Sequence, residues 1–215
     1  TEIYTLSLHD ALPILSPRLA SYPFARSGFE LLISTTQTAV DLSAGVADVA
    51  VRHGRGRWDG VHSELLFDEH VALFGRHADW NARSEAEARA AISRTNLFLS
   101  QHRREHFQRW NDTLPGGPVR PAAITLVDTS GLALKAAIDG AGMTLAGIEI
   151  AACDVAAGRL HPILDHKIPA NAGYYLCYPP ALARDRRVRN IRTWMLAEAA
   201  SRGQTGSEAH HGRSA

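Results

Sequence analysis

The sequence predicts an α/β protein with largely parallel sheets, and three observations predict it. Short apolar runs of strand length alternate with helix-length amphipathic stretches through most of the chain. Glycines stand where helix-like stretches stop, at Gly45, Gly140 and Gly158, as the left-handed residue of a helix end requires. The composition, 45% hydrophobic and 21% charged, is an ordinary globular balance. With 215 residues the chain suits one large domain or two small lobes.

Taken in order, Phe29–Thr35 (FELLIST) is a strand, followed by a helix from about Gln37 to Gly45. Val49–Arg52 (VAVR) is a short buried strand, GRGRWDG after it a turn-rich loop, and His70–Phe74 the next strand. Ser84 and Glu87 have capping-box spacing and open a helix through Ile92. Leu97–Ser100 returns as strand, and the helix after it carries Phe107 and Trp110 on one face. Ala123–Val127 (AITLV) is a strand running into Asp128-Thr129-Ser130, with a helix over Leu132–Asp139. Met143–Leu145 is strand, Ile148–Ala157 helix, and Leu160–Ile163 and Gly173–Tyr178 are two further strands. The last helix, about Arg186 to Ala200, sets Val188, Ile191, Met195 and Ala199 on one stripe.

The two ends differ from the middle. Residues 201–215 are small, polar and patternless, and a disordered tail is expected. The head, TEIYTLSLHDALPI, resembles a translated sequencing-adapter remnant, so residues 1–14 are expected never to have been selected to fold with the rest, although IYTLSL alternates and can form a strand by accident. Its short apolar stretch is interrupted by His9 and Asp10 and lacks a basic region, so it does not read as a secretory signal. No run of about 18 apolar residues is present to span a bilayer. Cys153 and Cys177 lie in apolar surroundings far apart, as two reduced thiols of a cytoplasmic protein would. A formal net charge of +1 is too small to argue for nucleic acid by itself.

Among motifs, His102-Arg103-Arg104-Glu105-His106 matches the H-x-x-E-H metallopeptidase pattern, in which two histidines on one helix face hold zinc. It lacks an evident third ligand, Glu149 being the one acid available near a helix start. The simpler reading is a solvated first helical turn, and neither a metal nor a cofactor is expected. Gly54–Gly60 has no phosphate-loop spacing and reads as a surface turn. The strand-to-helix turns are better suited to a ligand. Thr35-Thr36 and Asp128-Thr129-Ser130 supply hydroxyls beside free helix-start N–H groups, although the same residue types are also ordinary N-caps.

LSPRLASY and FELLISTTQTAVDLSAGVADVAVRHGRGRWDGVHSELLFDE together resemble the effector-binding domain of LysR-type transcription regulators. The branch they resemble contains the glycine-cleavage activator and the β-lactamase regulator. The residues carrying it are Pro17-Arg18-Leu19, Asp48–Gly56, Trp58, Gly60 and Leu66-Phe67. VDTSGLALKAAIDGAGMTLAG, DVAAGRL, the Phe107–Trp110 pair and RTWMLAEA continue it in order, from about Leu15 to Ala200.

The resemblance implies a two-lobed, type 2 periplasmic-binding-protein-like fold. Lobe I would be 15–76 with 167–200, and lobe II 77–166, with crossovers near Val71–Gly75 and Ala172–Tyr178. A small effector held between the lobes, a carboxylate by the chemistry of the turns, would meet Thr35, Thr36, Asp128, Thr129, Ser130, Arg52 and Trp58. The function implied is sensing for a cytoplasmic homodimeric or homotetrameric regulator, not catalysis. DNA would be reached only through a winged helix-turn-helix, for which this sequence has no counterpart. The family's first effector-domain strand is not recognisable either, and VALFGRHADW departs from the usual crossover segment. The competing readings are a periplasmic-type solute-binding protein and an H-x-x-E-H metallohydrolase.

Overall fold

The structure is a computed structural model that describes residues 3–9, 19, 21–22, 30–36 and 41–208. The strands are β1 (Ile3–His9), β2 (Glu30–Thr36), β3 (Val49–Gly54), β4 (His62–Arg76), β5 (Asn96–Ser100), β6 (Ala123–Val127), β7 (Met143–Gly147) and β8 (Leu160–Tyr178). The α-helices are α1 (His77–Trp80), α2 (Glu85–Ile92), α3 (Arg104–Asp112), α4 (Ser130–Ile138), α5 (Ile148–Ala156) and α6 (Arg186–Glu208). Two compact units result, Thr1–Asp68 with Ala172–Ala215, and Glu69–Asn171. The chain therefore passes between them within β4 and within β8, at 68/69 and 171/172, where 76/77 and 166/167 had been expected.

In the first unit the strands run in the order β2-β1-β3-β8. β1 is parallel to both neighbours, with Leu8 opposite Thr35 on one side and Val51 on the other. β3 pairs antiparallel with β8, Arg52 opposite Tyr175. Val49, Ala50 and Val51 are buried, as an unbroken apolar run covered on both faces should be, and Arg52 after them is buried as well. α6 lays Val188, Ile191 and Met195 inward, the stripe its 3.6-residue period predicted. Asp185 opens it: its carboxylate accepts from the Arg187 backbone N–H at 2.7 Å and its carbonyl from that of Arg189 at 3.0 Å. The Arg187 guanidinium beside it holds the Asp185 carboxyl down at about 2. Arg192 then donates to Glu64 of β4 at 2.6 Å, and this contact pulls the Glu64 carboxyl below its ordinary value.

In the second unit the order is β4-β7-β5-β6. β5 is parallel to both β6 and β7, whereas β7 is antiparallel to β4. Leu97 and Leu99 of β5, Met143 and Leu145 of β7, and Val71 and Leu73 of β4 form one core with Trp80, Ile92, Phe107 and Trp110. Trp110, fully buried, donates its indole N–H to the His166 carbonyl at 3.0 Å. The capping box of α2 is complete: Ser84 Oγ accepts from Glu87 N, and Glu87 accepts from Ser84 N at 2.8 Å.

Several local expectations need correction. Each unit adds one antiparallel strand to its parallel set, β8 against β3 and β4 against β7. The strand expected at His70–Phe74 extends back to His62. The two strands expected over 160–163 and 173–178 are one, β8, which continues through Pro162, Pro169 and a left-handed Asn171 at φ 56°. α4 begins at Ser130, two residues before Leu132, and α6 runs past Ala200 to Glu208. The helix expected from Gln37 begins outside the described residues; what is described is a 3₁₀ turn, Leu42–Ala44, closed by Gly45 at φ 70°. Neither cysteine is in a disulfide; Cys177 is buried and Cys153 half-buried.

The second unit also contains a buried ion pair. Arg103 donates from Nη1 and Nη2 to the two carboxylate oxygens of Glu69, each at 2.6 Å, with side-chain exposures of 3% and 0%. Gly147 permits it, since a Cβ there would stand 2.4 Å from Glu69 Oε1. Removing one partner leaves a buried uncompensated charge, so Glu69→Gln is expected to lower stability by about 3 kcal/mol. The double replacement Glu69→Leu with Arg103→Met is expected to cost less than Glu69→Gln alone. Urea denaturation of the three proteins checks this; a double variant less stable than the single would overturn the expectation.

Candidate functional site

β5, β6 and β7 are mutually parallel in the second unit, so their carboxyl ends lie along one edge, the side on which open α/β sheets bind ligands. Three short connections leave that edge. β5 ends at Ser100 and enters a 3₁₀ turn, Gln101–Arg103; β6 runs into Asp128-Thr129-Ser130; β7 ends at Gly147, where α5 begins. Gln101 Nε2 donates to Asp128 Oδ1 at 2.9 Å and joins the first two connections. Asn96 Nδ2, at the other end of β5, donates to Thr125 Oγ1 at 2.9 Å and holds the same pair of strands in register.

Thr129 is the N-cap of α4, its Oγ1 accepting from Leu132 N at 3.2 Å. That duty uses one acceptor site of the hydroxyl and leaves its donor and second lone pair for other contacts. Ser130, the first residue of the helix, is buried. Ser100 is buried as well, and among the described residues its Oγ has no hydrogen-bond partner. Sequence reasoning missed Ser100, although it is a hydroxyl at a strand's carboxyl end and so carries the same signal as Thr35 and Thr129. It also missed Glu69 and Arg103, which have no signal in the pattern.

In the first unit Thr35 and Thr36 are the last two residues of β2, Thr36 level with His9 of β1. Arg52 lies toward the end of β3, 7% exposed, with its guanidinium 5.6 Å from the Trp58 ring centre. Trp58 meets Tyr175 edge-on at 5.5 Å and packs against the cluster of Leu42, Ala47, Ala50 and Cys177. The GRGRWDG loop thus folds back over the sheet. A Cβ at Gly56, at φ 78°, would stand 2.5 Å from the Tyr175 ring, and one at Gly54 2.9 Å from Trp58. Arg52 and Trp58 are therefore brought together. Asp128, Thr129 and Ser130 form a second group, and Thr35 with Thr36 stands on β2, two strands from β3.

The H-x-x-E-H segment is not arranged for metal. His102 belongs to the 3₁₀ turn and is exposed, while His106 is on α3 with Nε2 3.2 Å from the Ala170 carbonyl. The solvated first turn expected there also needs correction, because Arg103 in its middle is buried. Glu149 accepts from the His70 backbone N–H at 3.1 Å, in the first turn of α5. Among the described residues no group of three or more His, Cys, Asp or Glu is placed to hold a metal ion. No helix among them is long and apolar enough to cross a membrane.

A family model, the LysR substrate binding domain, matches residues 4–200. The chain is 28% identical over 200 residues to the glycine cleavage system transcriptional activator of Escherichia coli K12, covering 92% of this chain and 65% of that protein. It is 25% identical over 184 residues to the transcriptional activator AmpR of Citrobacter koseri, covering 85% and 61%. Among solved structures, the effector domain of AmpR from Pseudomonas aeruginosa superposes with a TM-score of 0.74 at 23% identity, over 95% of this chain and 98% of that one. CrgA of Neisseria meningitidis, a LysR-type regulator, gives 0.70 at 15% identity, over 93% and 69%. These neighbours share the α/β, type 2 periplasmic-binding-protein-like fold expected from the sequence.

The capping contact separates what Thr129 does for the fold from what it does for a ligand. Thr129→Val removes the N-cap acceptor and is expected to lower stability by about 1 kcal/mol, whereas Thr129→Ser should be close to neutral. Thermal denaturation of the two variants checks this, and a valine variant as stable as the parent would mean that the cap contributes nothing.

Proposed function

This chain belongs to the LysR substrate-binding-domain family, and from that premise we propose that it senses a small carboxylate-bearing effector for a bacterial transcription regulator working in the cytoplasm. It is an effector-binding domain of the LysR type, and the match across residues 4–200 is the observation that carries this reading. The chain spans 65% and 61% of the lengths of the two regulators named above, so control of a gene through a separate winged helix-turn-helix is part of the proposal. Sensing rather than catalysis fits relatives that are regulators.

The turns support a carboxylate. Helix-start N–H groups and hydroxyls suit an anion, and the start of α4 offers Thr129 and Ser130 beside Asp128. In the other unit Thr35 and Thr36 close β2, and Arg52, flanked by Trp58, adds a planar guanidinium suited to a carboxylate. The expected test is calorimetry against a panel of amino acids and small carboxylates. Thr36→Val and Ser130→Ala should each weaken the effector found about tenfold, the equivalent of about 1.4 kcal/mol. Unchanged affinity in both variants would place the site elsewhere.

Self-association is the second part of the proposal. β6 is the edge strand of its unit, yet Ile124 and Leu126 on it are 51% and 40% exposed, and Leu132 of α4 is 54% exposed. An apolar, unpaired edge is a site for association rather than for solvent. A second copy covering it gives the homodimer or homotetramer expected of the family. Ile124→Lys with Leu126→Lys should reduce the mass measured by light scattering to that of one chain; an unchanged oligomer would move the interface away from β6.

A further inference from the structure

Five arginines fall within the nine residues 184–192, interrupted by a single acid, Asp185. Two of the five are committed: Arg187 to Asp185, with Nη2 to Oδ2 at 2.7 Å, and Arg192 to Glu64. The other three, Arg184, Arg186 and Arg189, are exposed, and among the described residues their side chains have no ion-pair or hydrogen-bond partner. Arg186 and Arg189 are one helical turn apart on the outer stripe of α6, which continues as the uncharged Asn190, Thr193 and Ala197. The inner stripe of the same helix is Val188, Ile191 and Met195. The cationic groups are thus concentrated at the helix start.

That placement opposes helix stability. The first turn of a helix carries the positive end of its dipole, and cations belong at the other end. α6 has no acidic residue in its first turn, whereas α2 has Glu85 and Glu87 there. A local rule broken without a folding gain marks a functional surface. Exposed arginines clustered on one surface match the oxygens of a phosphate backbone.

We propose that Arg184, Arg186 and Arg189 form a sequence-independent contact with the phosphate backbone of double-stranded DNA. The contact adds to, and does not replace, the specific recognition assigned to a helix-turn-helix. The choice of DNA over an acidic protein surface rests on the regulator reading, but the two fail separately, because effector calorimetry does not involve these arginines. Asp185 does not oppose the phosphate, since its carboxylate is already held by Arg187.

The test is fluorescence anisotropy of a labelled mixed-sequence duplex with the full chain. Three phosphates neutralised predict a slope of log K against log salt of about −2.7, so binding should weaken about 40-fold between 50 and 200 mM salt. Arg184→Gln, Arg186→Gln and Arg189→Gln combined should flatten that slope toward zero and weaken binding at low salt more than tenfold. The same triple variant should melt no lower than the parent, because it removes repulsion at the helix start. A control with Arg55→Gln and Arg57→Gln in the Gly54–Gly60 loop should bind as the parent does. Absence of salt-dependent binding in the parent, or an unchanged slope in the triple variant, overturns the proposal. So does polyglutamate that competes as well as unlabelled duplex, since the surface would then be one for acidic protein.

Discussion

The Glu69–Arg103 pair is the constraint on which the second unit's site depends. Both charges are removed from water, so each must satisfy the other, and the bidentate geometry restricts how the two side chains can meet. Glu69 is the first residue of its unit on β4, and Arg103 ends the turn that leaves β5. Gly147, at the end of β7, makes the space they occupy. Three strands are thereby keyed together at the carboxyl ends of β5 and β7. Replacing the pair with apolar side chains would preserve a core but not this registry, and a site of hydroxyls and N–H groups needs positions held to fractions of an ångström.

The first unit achieves the same end by different physics. Its Arg52 sits among aromatic rings, Trp58 over it and Tyr175 beside Trp58. An arginine beside an aromatic ring is held by the ring's face while its N–H groups point in the guanidinium plane. The glycines at 54 and 56 then serve close approach of the loop to Trp58 and Tyr175. Where the second unit holds its turns by charge pairing, the first holds its arginine by packing.

Features that depend on near neighbours in sequence were legible. The Ser84–Glu87 capping box, the glycine after the Leu42–Ala44 turn and the Phe107–Trp110 face are local, and each stands where the spacing put it. β8 was misread for a reason equally physical. Pro162, Asp165, His166, Lys167 and Pro169 break the apolar pattern, but Pro162 and Pro169 are exposed, where a missing N–H is tolerated. Between them Ile163, Leu164 and Ile168 are still buried and keep the strand in the core. Of the candidate site, the residue types and their strand-end positions could be read. Ser100 could have been, had the rule applied to Thr35 been applied to every strand.

The H-R-R-E-H segment shows why a chemical motif must be weighed by burial. Its two histidines and glutamate matched a zinc pattern, yet His102 and Glu105 are exposed and His106 is turned to a backbone carbonyl. The consequential residue is Arg103, which the pattern treats as a spacer. A 3₁₀ turn between β5 and α3 rotates the chain so that position 103, not 102, faces inward. Glu69 lies 34 residues earlier and on another strand. No spacing rule connects the two. Only the antiparallel pairing of β4 with β7, and the parallel pairing of β7 with β5, brings them together. A motif search finds residues that are close along the chain, and this pair is made of residues that the sheet brings close.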